Sequence, residues 1–580
     1  MDTPRQAVEE HLQAPSASDK APANIARHLS LMADRRPHQP AIVAPEGRGS
    51  TGKVRYSHFT YRQLDHDSDA VAAGLIIEGV AAGTRAAVMV RPGLNFFSLV
   101  FGLFKAGIVP VLIDPGMGLK SLGQCLDEAE PDLFIGVAPA LVARRALGWG
   151  KRTVRRVVSV GRGGRLAAPG SSTLDAIRDR GRQAIADGRL SAPVFRGVGD
   201  GETAAILFTS GSTGPPKGAV YTHSIFEAQI DCFRSLYGIE PGEVDLCTFP
   251  LFALFAPALG MTSIVPWMDP TRPARVDPEK LFEAIDDFGP TNLFGSPALL
   301  RRVGPAGVAK GLKIPTLRRV VTAGAPASPR VLATFARLLE PPARIFTPYG
   351  ATESLPVASI GSDEILGETG RQTDVGEGVC VGFPCGDIEV KIIRISDDPI
   401  PTWTDALELP RGEIGEIIVS GPVVTRSYFG RPEATALAKI DDPAGGRFFH
   451  RMGDLGYLDD RGRIWFCGRK AHRVVSRGET FFTICCEGIF NAHPEVARTA
   501  LVGVEGPDGD VPVLCVEPAR WPGRRDRQRL RDELLERGAK FDRTKKIKTI
   551  LFHRSFPVDI RHNSKIFREK LAVWAAGKRP

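Results

Sequence analysis

Leu207–Gly218 reads LFTSGSTGPPKG, and the residues leading into it, Ala204-Ala205-Ile206-Leu207-Phe208, form an apolar pentad of the kind that fills a buried strand. A turn-rich stretch with four hydroxyls, three glycines and one lysine suits a polyphosphate. Glycines let the backbone approach without Cβ clashes. The N–H groups of Gly211 and Gly214 and the hydroxyls of Thr209, Ser210, Ser212 and Thr213 can donate to phosphate oxygens, and Lys217 adds a point charge. The loop does not match the common nucleotide pattern G-x-x-x-x-G-K-[ST]. Lys217 is preceded by two prolines and followed by Gly218, so no hydroxyl stands where it would hold magnesium.

Three further segments follow: Thr347–Ser354 (TPYGATES), Arg451–Asp459 (RMGDLGYLD) and Gly468-Arg469-Lys470. With TSGSTGPPKG they resemble the phosphate loop, the Y-G-x-T-E segment, the ribose-binding segment and the hinge of the adenylate-forming superfamily of acyl-CoA synthetases, luciferases and peptide-synthetase adenylation domains. The resemblance covers nearly the whole chain.

A chain of 580 residues is too long for one hydrophobic core, so two or three packed units are expected. Hydrophobic content of 43% and charged content of 24% are ordinary for a globular enzyme. The net charge of +9 gathers partly in Arg524–Arg531 and Arg543–Lys548, where sparse aromatics and interspersed acids read as a solvated face and not as a nucleic-acid site. Nine scattered cysteines with no C-x-x-C or metal spacing read as reduced thiols, hence a cytoplasmic protein. The N-terminus carries no apolar stretch that could direct secretion. Between Asp245 and Asp269 lie 23 uncharged residues, long enough to cross a bilayer. Pro250, Pro257 and Pro266 divide them, so the reading is a buried strand-turn-helix with no transmembrane segment, and Phe252, Ala253 and Phe255 are assigned to an acyl-chain pocket.

Read in order, residues 1–22 form an Ala-, Pro- and Ser-rich flexible leader. A helix-like run to Met32, a strand Ala41–Val43, a loop at EGRGSTGKVR and an amphipathic helix Tyr61–Gly79 come next. Strand Arg85–Val90, helix Asn95–Lys105 and strand Val109–Ile113 continue the alternation. The fold class is therefore α/β, a large N-terminal domain of parallel or mixed sheets flanked by helices. Short β-like runs from Gly382 suggest a small barrel-like subdomain, about 382–467. The expected division is an N-terminal domain 23–467, a hinge 468–471 and a small mobile α+β lid domain 472–580.

Adenylation joins a carboxylate to the α-phosphate of ATP, anion to anion, so the site must above all neutralise negative charge. The resemblance supplies candidates. Tyr349 stacks on adenine, with the backbone of Gly324, Ala325, Pro326 and Gly350 beside it. Thr352 reaches the α-phosphate, and Glu353 holds magnesium, since a cation bridging phosphates wants a carboxylate and waters. Asp454 accepts from the ribose hydroxyls and Arg469 works at the sugar and hinge. Asp559–Leu571, DIRHNSKIFREKL, resembles the superfamily's last segment and places Lys565 as the catalytic lysine, although Ser564 replaces a glycine and the spacing from Pro557 is longer by two. Two other departures concern the usual gate after Pro250-Leu251-Phe252, where Ala253 stands, and the hinge, where Ala471 replaces the common Asp or Lys and His472 the usual acid. They put ordinary thioester formation in doubt.

IFEAQIDCFRSLYGIEPGEVDLCTFPLFALFAPALG, MDPTRPARVDP and the RHNSK ending narrow the resemblance to the β-lactone-forming branch of the superfamily in the bacterial long-chain olefin pathway. That branch implies ATP and Mg2+, a long-chain 2-alkyl-3-hydroxy acid, and assembly with the pathway's β-lactone decarboxylase and ketone reductase. His223 and His562 are candidates for taking the hydroxyl proton, or else structural. A long-chain fatty acid–CoA ligase is the alternative reading. A non-catalytic nucleotide-binding regulator would expect losses at Lys217, Glu353, Asp454 or Lys565, and all four are present.

Overall fold

The computed structural model describes residues 24–199, 201–208, 215–249, 251–506, 509–558 and 566–578. The leader 1–22, the phosphate-loop residues Thr209–Gly214 and the segment carrying His562, Ser564 and Lys565 lie outside the described residues.

Two large sheets carry the N-terminal part. In the first, Arg85–Met89, Val109–Leu112, Leu133–Val137, Arg156–Val160 and Ser172–Thr173 are parallel. Thr203–Phe208 runs parallel to Val109–Leu112 and antiparallel to Gly218–Thr222. Helices between the strands bury them on both faces, which is why they read as short apolar runs with no polar alternation. Thr203–Phe208 contains the apolar pentad Ala204–Phe208 of the sequence. Its end residue Phe208 is the register partner of Gly218, so the phosphate loop closes a strand pair where the common nucleotide loop opens a helix. Only glycine fits at position 218, because a Cβ there would lie 2.8 Å from Cγ2 of Ile206.

The second sheet has fourteen strands among the described residues. Its centre is parallel: Thr262–Ile264, Val244–Cys247, Asn292–Phe294, Arg319–Val321 and Arg344–Ala351. At one edge Pro40–Arg48 and Val54–Thr60 form a hairpin. The loop expected at EGRGSTGKVR is therefore confined to residues 49–53, since its flanks pair as strands. An exposed edge tolerates such charged residues, so alternation gave no signal there. At the other edge the sheet turns antiparallel through Ser354–Gly361 and Val379–Pro384 into Ile464–Arg469, Arg447–Leu458, Gly415–Ser420 and Glu389–Ile393. The short β runs read from Gly382 onward thus continue the same sheet, which passes from its parallel centre through the strand Val379–Pro384.

The long apolar stretch resolves into strand Val244–Cys247, a 3-10 turn Phe252–Phe255, a single helical turn Ala256–Leu259 and strand Thr262–Ile264. Among the described residues no helix is long and apolar enough to cross a membrane. All nine cysteines are unpaired. The C-terminal part has its own cores around a hairpin (Val474–Ser476, Glu479–Phe481), a three-stranded sheet (Val496–Val504, Val511–Pro518, Thr549–Phe552) and three helices, Thr483–Asn491, Arg524–Ala539 and Arg568–Ala576.

Helix Tyr61–Ile77 starts at a capping box between Thr60 and Gln63 and packs directly on helix Leu174–Ala186. Their approach depends on missing side chains. A Cβ at Gly181 would lie 1.8 Å from the Ala70 carbonyl oxygen, and one at Gly74 would lie 2.1 Å from that of Ile177. Backbone cannot yield as a side-chain tip can. Gly181→Ala is expected to destabilise the protein by about 1–3 kcal/mol or more, seen as a lower urea midpoint; an unchanged midpoint would show that the helices separate freely.

Candidate active site

A cavity of about 1460 Å³ opens at the ends of the parallel strands and reaches the C-terminal part. Ligands enter open α/β sheets at this position. One end is polar and one is aromatic.

At the polar end Asp454 and Arg469 are register partners on adjacent strands. Arg469 donates to Asp454 Oδ1 at 2.7 Å, and the Tyr349 hydroxyl donates to Oδ2 at 2.7 Å. Asp454 is 5% exposed, so its charge is matched by partners instead of water. Burial, and then the Asp454 charge, hold the Tyr349 phenol well above its ordinary range, and the same carboxylate raises Arg469. Tyr349 is thus a fixed neutral donor and Arg469 a permanent cation. Gly324, Ala325 and Pro326 line the cavity beside Tyr349, and Gly324 adopts φ +96°, a conformation that favours glycine. Gly350 sits where a Cβ would come 2.5 Å from the Ser354 carbonyl oxygen.

Thr352 and Glu353 form the tip of the hairpin between Arg344–Ala351 and Ser354–Gly361, and both line the cavity. The Tyr221 hydroxyl donates to the Thr352 carbonyl. Tyr428 donates to Glu353 Oε1 at 2.7 Å, and Lys217 Nζ lies 5.0 Å from the centre of the Tyr428 ring. The phosphate-loop lysine and the candidate magnesium carboxylate are therefore brought to one tyrosine, although 136 positions separate them in the chain. Behind them Lys439 donates to the Thr425 carbonyl, and burial pulls its pKa down to about 7. His450, buried and facing the cavity, gives its Nδ1 hydrogen to the Ala438 carbonyl at 3.2 Å.

Under the hinge segment, Glu416 is almost fully buried and takes Arg451 at 2.6 Å and Lys470 at 3.1 Å. Lys470–His472 is a 3-10 turn. Burial, and then the Arg568 charge, lower the His472 pKa to about 4, so its ring is neutral, and its Nε2 lies 3.5 Å from Glu569. Ile566 and Arg568 line the cavity, with Arg568 held by Glu487. The residues that follow Lys565 thus face the site, while Lys565 itself and Thr209, Ser210, Gly211, Ser212, Thr213 and Gly214 fall outside the described residues.

At the aromatic end, Phe252 stacks on Phe294 at 4.1 Å between ring centres, and Phe255 packs edge-on against Phe233 and Phe226. Phe252 and Phe255 line the cavity as expected. Ala253 does not: it is 0% exposed and packs into the core behind them. In a 3-10 turn, residues i and i+3 eclipse, which puts 252 and 255 on one side and 253 on another. His223 is also away from the chemistry. It is buried, accepts the Ile25 N–H at 3.2 Å, and burial lowers its pKa to about 4, so it pins the N-terminal segment. Tyr428, Lys439, Glu416 and Glu487 escaped sequence reading because each acts through a partner far away in the chain.

The model of the family described as AMP-binding enzyme matches residues 30–429. The chain belongs to the AMP-binding enzyme family. Its relatives include the olefin beta-lactone synthetases of Stenotrophomonas maltophilia, 50% identical over 562 residues that cover 96% of this chain and 99% of that protein, and of Xanthomonas campestris, 48% identical over 96% and 98%. A feruloyl-CoA synthase from Amycolatopsis is 27% identical over 79% of this chain and 84% of its own length. Among solved structures, the amide bond synthetase McbA from Marinactinospora thermotolerans superposes with a TM-score of 0.74 at 22% identity, covering 95% of this chain and 99% of that one. ATP-bound MatB from Rhodopseudomonas palustris gives 0.73 at 22% identity, covering 96% and 99%. These structures share the mixed α/β fold and its small C-terminal domain.

Asp454→Asn keeps the shape but leaves the half-buried Arg469 without its counter-charge. The KM for ATP is expected to rise roughly ten- to hundredfold, the cost of a hydrogen bond to a charged group, with little change in acid affinity. An unaltered ATP KM would remove Asp454 from the nucleotide site.

Proposed function

We propose that this protein activates a long-chain 2-alkyl-3-hydroxy acid with ATP and closes it to a β-lactone, releasing pyrophosphate and AMP. The observation that carries the reading is 50% identity along essentially the full length of an olefin beta-lactone synthetase. Activation forms the bond between a carboxylate oxygen and the α-phosphorus and breaks the bond to pyrophosphate. The acid's own 3-hydroxyl oxygen then bonds to the acyl carbon, the hydroxyl proton leaves, and the acyl–oxygen bond to AMP breaks. Because the second nucleophile is tethered, no entropic cost of capturing another substrate arises and no CoA site is required.

In this reading Tyr349, Gly324, Ala325, Pro326 and Gly350 hold the adenine. Asp454 and Arg469 hold the ribose, and the loop Thr209–Gly214 with Lys217 and Thr352 holds the phosphates. Lys565 bridges the carboxylate and the α-phosphate, and the cavity-lining Ile566 and Arg568 supply the approach. Glu353 projects into the cavity with one oxygen fixed by Tyr428, a lone carboxylate that suits magnesium, which keeps waters and phosphate oxygens as its other ligands. Bound there, the metal would neutralise phosphate charge. The aromatic wall of Phe226, Phe252, Phe255 and Phe294 suits an alkyl chain. Residues 468–471 act as the hinge of a lid formed by 472–580, and the uncharged Ala471 fits a reaction with no thioester step. The working compartment is the cytoplasm, and a lactone decarboxylase and a ketone reductase are the partners.

Incubation with ATP, magnesium and a synthetic 2-alkyl-3-hydroxy acid should yield a dehydrated cyclic ester by mass spectrometry without CoA; a thioester formed only with CoA would assign the protein to the acyl-CoA ligases instead. Lys565→Ala is expected to lower pyrophosphate release on the order of a hundredfold while ATP still binds, and near-normal release would exclude the bridging role. Glu353→Gln should shift the magnesium requirement to higher concentration, whereas an identical titration would place the metal elsewhere.

A further inference from the structure

The two basic runs differ in how their charges are met. In the second, Arg543 lies 3.6 Å from Glu377, Lys545 lies 2.7 Å from Asp542, and Lys546 pairs with Glu479. In the first, Arg529 pairs with Glu495 and Glu533, but Arg524, Arg525, Arg527 and Arg531, like Arg520 just before the run, have no ion-pair partner among the described residues. The helix does not benefit from this arrangement. Arg524, Arg525 and Arg527 crowd the start of Arg524–Ala539, where the unpaired N–H groups already carry positive potential, Gly523 provides no side-chain cap and Asp526 is the one acid of the first turn.

Beside that turn Trp521 is 38% exposed, with the Arg527 and Arg554 guanidinium groups 5.5 and 5.2 Å from its ring centre. An exposed indole framed by cations matches the boundary between headgroups and water, where indoles gather and lysines and arginines meet anionic lipid. The face also lies next to the cavity. Arg529–Glu495 at 2.9 Å and His493–Glu533 at 3.1 Å fasten the helix to residues 491–499, of which Asn491, Val496 and Arg498 line the cavity.

We propose that the face formed by Arg520, Trp521, Arg524, Arg525, Arg527 and Arg554 docks on an anionic lipid surface. Its use, taking a two-chain acid from the bilayer beside the cavity, rests on the proposed reaction; the docking itself does not. Lipid is the occupant to which an indole flanked by guanidinium groups beside the cavity corresponds, and an acidic protein surface is the outcome the test separates from it.

Full-length protein, without ATP or acid, is sedimented with vesicles of phosphatidylcholine alone or with phosphatidylglycerol added, at low and high salt. Retention is expected only with phosphatidylglycerol and should be lost at high salt. R520Q/R524Q/R525Q should weaken partition roughly fivefold per arginine, and W521A should weaken it separately. Both variants should keep the wild-type melting temperature and rate of pyrophosphate release. Equal sedimentation with both vesicles, or retention unchanged in the triple variant, would overturn the proposal. So would binding to immobilised polyglutamate with no vesicle retention, which would make the face an acidic-protein site. Because the assay contains no reactants, lactone formation succeeds or fails independently of it.

Discussion

Asp454 is the constraint on which the site depends. Its two oxygens are divided between the Tyr349 hydroxyl and the Arg469 guanidinium, each at 2.7 Å. Those partners come from the hairpin strand Arg344–Ala351 and from the last strand before the hinge. One buried carboxylate therefore ties the hairpin strand to the strand that leads into the C-terminal part. A buried ion pair of this kind contributes little net stability, because desolvation offsets its attraction, but it fixes which residues meet.

The same economy recurs along the cavity. Glu353 is oriented by Tyr428, over which Lys217 sits, and Lys470 is held by Glu416, which also takes Arg451. Each acid has a cation or a phenol fixing it before a ligand arrives. For a reaction that joins two anions, such preorganisation spares the reorganisation that water would have to undergo. The aromatic end requires only shape and apolar surface, and stacked rings provide both with few rotatable bonds.

The C-terminal part meets this frame through ion pairs, Arg473 with Asp397 and Arg543 with Glu377. Within that part, Arg568 on Glu487 and His472 beside Glu569 hold the residues that follow the Lys565 segment. The neutral state of His472 follows from burial and from its cationic neighbours.

The sequence by itself determined the local chemistry: the apolar strand before LFTSGSTGPPKG, the βα alternation that makes a parallel sheet, the candidate roles of Tyr349, Thr352, Glu353, Asp454 and Arg469, and the division of the 23 uncharged residues into short strands and turns. These are legible because periodicity and short motifs are properties of neighbours in the chain. The tertiary structure decided what depends on distant pairs. It put the charged stretch after Glu46 into an edge hairpin, turned Ala253 into the core and made His223 a pin for Ile25. It also supplied Tyr428 to Glu353 across 75 positions, and it paired Arg543, Lys545 and Lys546 of one basic run while pairing Arg529 of the other. No spacing rule encodes these outcomes, because each was set by which surfaces had to be buried together and which charges then found a partner.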